Sequence, residues 1–213
     1  AANYGCPLLW ADGHTADAPA VEHYQGELTF TEDDLSDRYR ELSPRGQVDL
    51  VVIGCPQASV GEARTAAAAV RARMELGEVI PDQRLWVFMS GHNHDLISAD
   101  GTLDVLEEAG ALVLRDTCPE VTPYNRSRYN HLLTNSLKAE HYLTSGLNRM
   151  PTSVAPIEQC VAHAFDPTLV VGERPVLDPE SAKPIPSAKT QRRGKYEASG
   201  SGIPSQSEWA VSG

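Results

Sequence analysis

The sequence predicts an α/β domain, a three-layer sandwich around a mostly parallel sheet, followed by a disordered tail. Three observations carry this. Short apolar runs, continuous rather than alternating apart from Asp49 and the leading Arg84, recur at 48–54, 84–89 and 111–114. Unbroken hydrophobicity over a strand's length marks a strand covered on both faces, as in a parallel sheet. Helical segments with their own start and stop signals separate the runs, and they are long enough for right-handed crossovers.

Taken in order, GELTFTEDDLSDRYRELSP predicts a short strand over Leu28 to Phe30 and then a helix. Thr31 is placed to cap that helix, Glu32, Asp33 and Asp34 suit its first turn, and Ser43-Pro44 ends it. Val48 to Gly54 is the first buried strand. Ser59-x-x-Glu62 is a capping box, with Ser59 accepting from the backbone and Glu62 reaching back. ARTAAAAVRARMEL continues as helix to a stop at Gly77. Arg84 to Met89 is the second buried strand, and SGHNHDLISADG after it reads as a polar loop. Thr102 to Ala109 is a helix closed by Gly110. Ala111 to Leu114 is the third strand and runs into Asp116-Thr117-Cys118-Pro119. Beyond Pro123 the pattern predicts a loop, a short helix from about Ser136, a strand-like SVAPIE and a helical CVAHAF. From residue 166 onward Pro, Ser, Gly and charge dominate without apolar periodicity, the composition of a disordered tail. The organisation expected is one domain over 1–165 and a tail over 166–213.

The formal net charge of −11 and pI near 5.0 argue against a nucleic-acid backbone or an anionic membrane surface as partner. No apolar run approaches the roughly 20 residues of a membrane span. The N-terminal stretch has neither the basic start nor the apolar core of a signal peptide, so a cytoplasmic location is expected. The four cysteines, Cys6, Cys55, Cys118 and Cys160, are too sparse for a secreted disulfide scaffold.

Two of the thiols gain meaning from the fold. In a parallel sheet all C-terminal strand ends lie on one edge, outside which ligands bind. Cys55 follows the first strand and Cys118 the third, while His92 and His94 follow the second. Each of these cysteines precedes a proline, which stiffens the turn that presents it. The helix N-terminus after Cys55 favours its thiolate. From the residues alone four readings stand open. Cys55 is a nucleophile activated by His92 or His94, the thiols bind zinc, they bind an iron–sulfur cluster, or they are reduced, partly buried thiols without a task. The absence of a C-x-x-C pair weakens structural zinc.

Three motifs, GCPQAS (54–59), DTCP (116–119) and TNSLKAEHY (134–142), resemble in order and spacing the large catalytic part of the aconitase X family, which reads GCPH-x-S, DTCP and TNS-x-K-x-x-HY. The likeness runs from about Pro7 to about Phe165. It implies a hydro-lyase that uses an iron–sulfur cluster as Lewis acid on a substrate hydroxyl. It further implies Cys55 and Cys118 as cluster ligands, and Gln57, Ser59, Thr134, Asn135, Ser136 and Lys138 as substrate-binding residues. Of these, Ser136 and Lys138 are suited to a carboxylate; from the residues alone Ser136 reads as a helix N-cap and Lys138 as a solvated side chain. The expected substrate is a small hydroxy acid, cis-3-hydroxy-L-proline as in bacterial and fungal members, whereas archaeal members dehydrate a phosphorylated mevalonate.

The sequence departs from the family pattern in several places. Gln57 stands where the family has His, which keeps a donor and loses a titratable group. Leu137 replaces a small residue. The upstream TC-x-PY motif, source of the third ligand, is absent, as is the small swivelling domain whose serine-rich loop is proposed to carry the base. Residues 169–184 resemble the start of that domain. The expected partners are therefore the missing upstream half and the small domain of the same enzyme. Cys160, in a helical stretch, reads as a buried thiol rather than a substitute ligand. The alternative to a dehydratase fragment is a non-catalytic α/β module whose cysteines bind nothing.

Overall fold

The structure, a computed structural model, describes Trp10, Thr15, Gly26 and residues 28–169. The tail expected from 166 lies, from residue 170, outside the described residues. Five strands form one sheet: β1 (Leu50–Ile53), β2 (Leu85–Met89), β3 (Leu112–Arg115), β4 (Leu132–Thr134) and β5 (Thr152–Val154). Their order is β3-β2-β1-β4-β5 and every pairing is parallel. The helices are α1 (Glu32–Leu42), α2 (Val60–Met74), α3 (Gly91–Ala99), α4 (Thr102–Glu108), α5 (Leu137–Ser145) and α6 (Ile157–Phe165).

The layers follow from strand alternation. Val51, Ile53, Val87, Met89 and Leu133 face one core, which they share with Ala63, Ala66 and Val70 of α2, Ile97 of α3, Leu106 of α4 and Val161 of α6. Leu50, Val52, Phe88 and Leu132 face the other, against Ala139 and Leu143 of α5 and against Tyr124 and Tyr129. Residues 63, 66, 67 and 70 recur at helical spacing and are all buried, so small alanines let α2 lie close to the sheet.

The α/β prediction holds, and three local expectations are corrected. Residues 28–30 form no strand, because Leu28 is 99% and Phe30 71% exposed, with no sheet to join. The expected polar loop after β2 is helix α3. Ser90 caps it by accepting from the Asn93 N–H, and Asp116 accepts from the Gly91 N–H at 2.6 Å. The region read as loop before Ser136 contains β4, whose three residues are buried in register with β1. The predicted caps are present: Thr31 with Asp34, Ser59 with Glu62, and Ser136 on α5.

The N-terminal edge of the sheet holds a buried polar group. Arg84 is 8% exposed and donates to the Val48 carbonyl, and His163 is 2% exposed with an unpartnered Nδ1. Burial lowers the His163 pKa from its ordinary 6.5; Asp166 opposes this, and Arg84 and His131 add to it. An unfolded chain therefore binds a proton that the native chain refuses. Stability from this group is complete above about pH 6.5 and is lost as pH falls toward the lower native value. Denaturant titrations between pH 7.5 and 5.5 should show wild type losing more stability than His163→Gln.

Candidate functional site

The chain leaves β1 outward to β2 and β3, then returns to place β4 on the other side of β1. This reversal makes the β1/β4 boundary the topological switch point, where loops diverge and open a crevice at the C-terminal edge. Cys55 lies two residues beyond β1, and Asn135 and Ser136 directly follow β4. The sheet order therefore brings together segments some 80 residues apart. The Cys55–Pro56 peptide bond is cis.

Cys55 and Cys118 are free, half-buried thiols. Burial raises the Cys55 pKa; Lys138 opposes the rise, Cys118 and Glu120 add to it, and the Ser136 hydroxyl opposes it. Desolvation thus outweighs the expected helix N-terminal effect. The same influences show that Cys55, Cys118, Glu120, Ser136 and Lys138 share one electrostatic neighbourhood. His92 and His94 are not among the groups acting on Cys55. They ride on α3, whose Asn93 donates to the Ala58 carbonyl. A histidine-activated nucleophile finds no support in this arrangement.

The remaining candidates divide by what already holds them. Gln57 Nε2 donates to the Thr117 carbonyl at 3.4 Å, linking the two cysteine loops. Thr134 is fully buried and its Oγ1 accepts from the Ser136 N–H. Ser59 is engaged with Glu62, and Asn135 joins Gly54 to Glu62. Ser136 caps α5 through the Ala139 N–H. Lys138 is half-buried, with Nζ 5.9 Å from the centroid of the Tyr142 ring. Cys160 is fully buried in the opposite core, donates to the Ala155 carbonyl, and has its pKa raised by burial. It does not join the other thiols.

Three neighbours went unassigned in the sequence. Glu120 accepts from the Leu147 N–H at 2.7 Å. Tyr124 donates to the Pro119 carbonyl, stacks on Trp86, and has its pKa raised by burial and by Cys118, Glu120 and Cys55. Glu62 was legible only as a cap. The position of Glu120 and Tyr124 just after DTCP was the one available signal.

Two soft sulfur donors on stiffened turns suit an iron centre as two of its ligands. Among the described residues, no group of three or more His, Cys, Asp or Glu side chains is placed to hold a metal. An iron centre held by these two thiols would need a donor beyond them. A cavity of about 650 Å³ is lined by Glu41, Ser43, Arg45, Gly46, His131 and Ser153. His131 precedes β4, so this depression lies at the other edge, without thiols. No described helix is long and apolar enough to cross a membrane.

A parallel sheet with helices on both faces and a switch point between β1 and β4 places the domain in the open, doubly wound α/β class. More specifically, the chain belongs to the aconitase X family: the family model for the aconitase X third domain matches residues 48–166. The phosphomevalonate dehydratase large subunit of Methanothermobacter thermautotrophicus is 33% identical over 132 residues, covering 62% of this chain and 28% of that protein. That of Methanocaldococcus jannaschii is 29% identical over 153 residues, covering 68% and 36%. The chain thus spans about a third of the length of these curated relatives. The crystal structure of Thermococcus kodakaraensis aconitase X (holo-form) superposes with a TM-score of 0.54 at 23% identity, over 63% of this chain and 33% of that one, and supports the fold.

Proposed function

We propose that this chain is the thiol-bearing part of an iron–sulfur-dependent hydro-lyase that dehydrates a small hydroxy acid, cis-3-hydroxy-L-proline being the favoured substrate. The observation that carries the reading is geometric: Gln57 ties the Cys55 loop to the Cys118 loop through the Thr117 carbonyl, and the Gly54 N–H ties the Cys55 loop to Asn135, next to Ser136 and Lys138, at the switch point. Cys55 and Cys118 would hold the cluster, which when bound supplies a Lewis acid to the departing hydroxyl. Lys138 offers a point charge, and Ser136 a hydroxyl, to the substrate carboxylate. Gln57, Ser59, Thr134 and Asn135 line or brace the same turns. The remaining domains of the enzyme would supply the third ligand and the base that removes the proton next to the carboxylate. A cytoplasmic setting, where thiols stay reduced, suits this chemistry.

The names of the relatives favour a second substrate, a phosphorylated mevalonate. The test is anaerobic reconstitution with ferrous iron and sulfide, the chain being co-produced with the missing domains. Visible charge-transfer absorbance should appear in wild type and vanish in Cys55→Ser and Cys118→Ser. Its absence in wild type overturns the metal reading and leaves the non-catalytic module. Turnover of the phosphorylated acid, but not of hydroxyproline, transfers the substrate to the second reading.

A further inference from the structure

Beyond the last paired residues of β1 and β4, Val52 and Thr134, the backbone ladder between these strands ends. A side-chain relay continues across the gap. The Gly54 N–H donates to Asn135 Oδ1 at 3.3 Å, and Asn135 Nδ2 donates to Glu62 Oε1 at 2.9 Å. Glu62 Oε2 accepts from the Ser59 N–H at 2.8 Å and from Ser59 Oγ at 2.9 Å. The relay joins residues 73 and 81 positions apart in the chain.

Its polarity is forced. Both ends are backbone N–H groups, which can only donate. The side chain at each end must therefore present an acceptor to its N–H, and the two side chains must still match each other. One amide and one carboxylate meet this condition. Two amides leave donor facing donor if both backbone bonds are kept, and two carboxylates leave acceptor facing acceptor. A helix cap alone needs only the contact between Ser59 and Glu62, so the second carboxylate oxygen of Glu62 has a separate, long-range task.

We propose that Glu62 and Asn135 are positioning residues. They clamp the Cys55 loop to the turn bearing Ser136 and Lys138 across the switch point, and so set the geometry of the metal-binding pair. The link to metal rests on the function proposed above. Cys55 is one residue beyond Gly54, and Ser136 one beyond Asn135, so the clamp acts immediately behind both groups.

The test uses the full chain with Cd²⁺ as the probe, read by thiolate-to-cadmium absorbance in the ultraviolet. Glu62→Gln and Asn135→Asp should each weaken Cd²⁺ binding by about tenfold, the scale of one mismatched hydrogen bond. The double variant, Glu62→Gln with Asn135→Asp, restores the relay with its central bond reversed. The amide introduced on α2 would donate to the carboxylate introduced after β4, while its own oxygen accepts from Ser59. That carboxylate would keep its other oxygen for the Gly54 N–H, so affinity should return to within about threefold of wild type. Leu106→Ala, in the remote core, should lower stability without changing Cd²⁺ affinity. Unchanged affinity in both single variants, or no recovery in the double variant, overturns the proposal. If wild type itself binds no Cd²⁺, two thiols without the third donor of the missing domains do not hold it, and the metal reading is decided by the reconstitution above. The clamp is then judged by amide exchange at Gly54 and Ser59: protection lost in each single variant and regained in the double variant supports it, and protection unchanged in the single variants overturns it.

Discussion

Gly54→Ala should cost about 4 kcal/mol or more and leave the domain largely unfolded. Gly54 ends β1 with φ +97°, a conformation that strains any residue with a side chain. A Cβ there would also lie 2.5 Å from the Ala58 nitrogen and 2.5 Å from the Phe88 carbonyl oxygen. Those two atoms are bonded to each other at 2.6 Å, so neither can retreat without breaking the contact between the β1 loop and β2. Gly77→Ala separates the two causes. Its φ is +78° but nothing lies within 4 Å of the new Cβ, so only the conformational cost of about 1–2 kcal/mol applies. Denaturant titration followed by circular dichroism measures both. Equal, small losses for the two variants would contradict the close approach at Gly54.

Phe88→Ala should cost about 3–5 kcal/mol, the range for a truncated core aromatic. The ring is fully buried among Leu50, Val52, Tyr124, Leu132 and Leu143, and it meets Trp86 at 6.4 Å between ring centroids. Collapse into the space is limited because the β2 backbone is held by β1 and β3 on both sides. Cys55 packs against this same cluster. Loosening it should therefore also speed alkylation of Cys55 at a fixed pH, since access is part of what slows a buried thiol. The two readouts, denaturant midpoint and alkylation rate, should change together. A stability loss with an unchanged rate would show that the floor beneath Cys55 is independent of Phe88.

The elements that were legible share a property: their local signal does not depend on a partner. β1 and β2 are continuous apolar runs, and α2 carries its capping box and an unbroken helical stretch. α3 was missed because GHNHDLISA begins with glycine and is polar in its first turn. It forms because Ser90 and Asp116 satisfy its N-terminal donors and Ile97 is buried. β4 was missed because three residues are too few for a pattern, and pairing with β1 is what makes them a strand. Leu28 and Phe30 misled in the other direction, since an apolar pair without a neighbouring strand stays exposed.

By itself the sequence determined the class of fold, the position of both thiols at strand ends, the capping of α1, α2 and α5, and the family motifs. These depend on residue type and short spacing, which chain neighbours decide. Only the tertiary structure decided the order of the strands, the switch point between β1 and β4, the separation of Cys160 from the other thiols, and the reach of Glu62 to Asn135. Those depend on which segments meet after crossovers, a long-range choice made by burying both faces of the sheet at once.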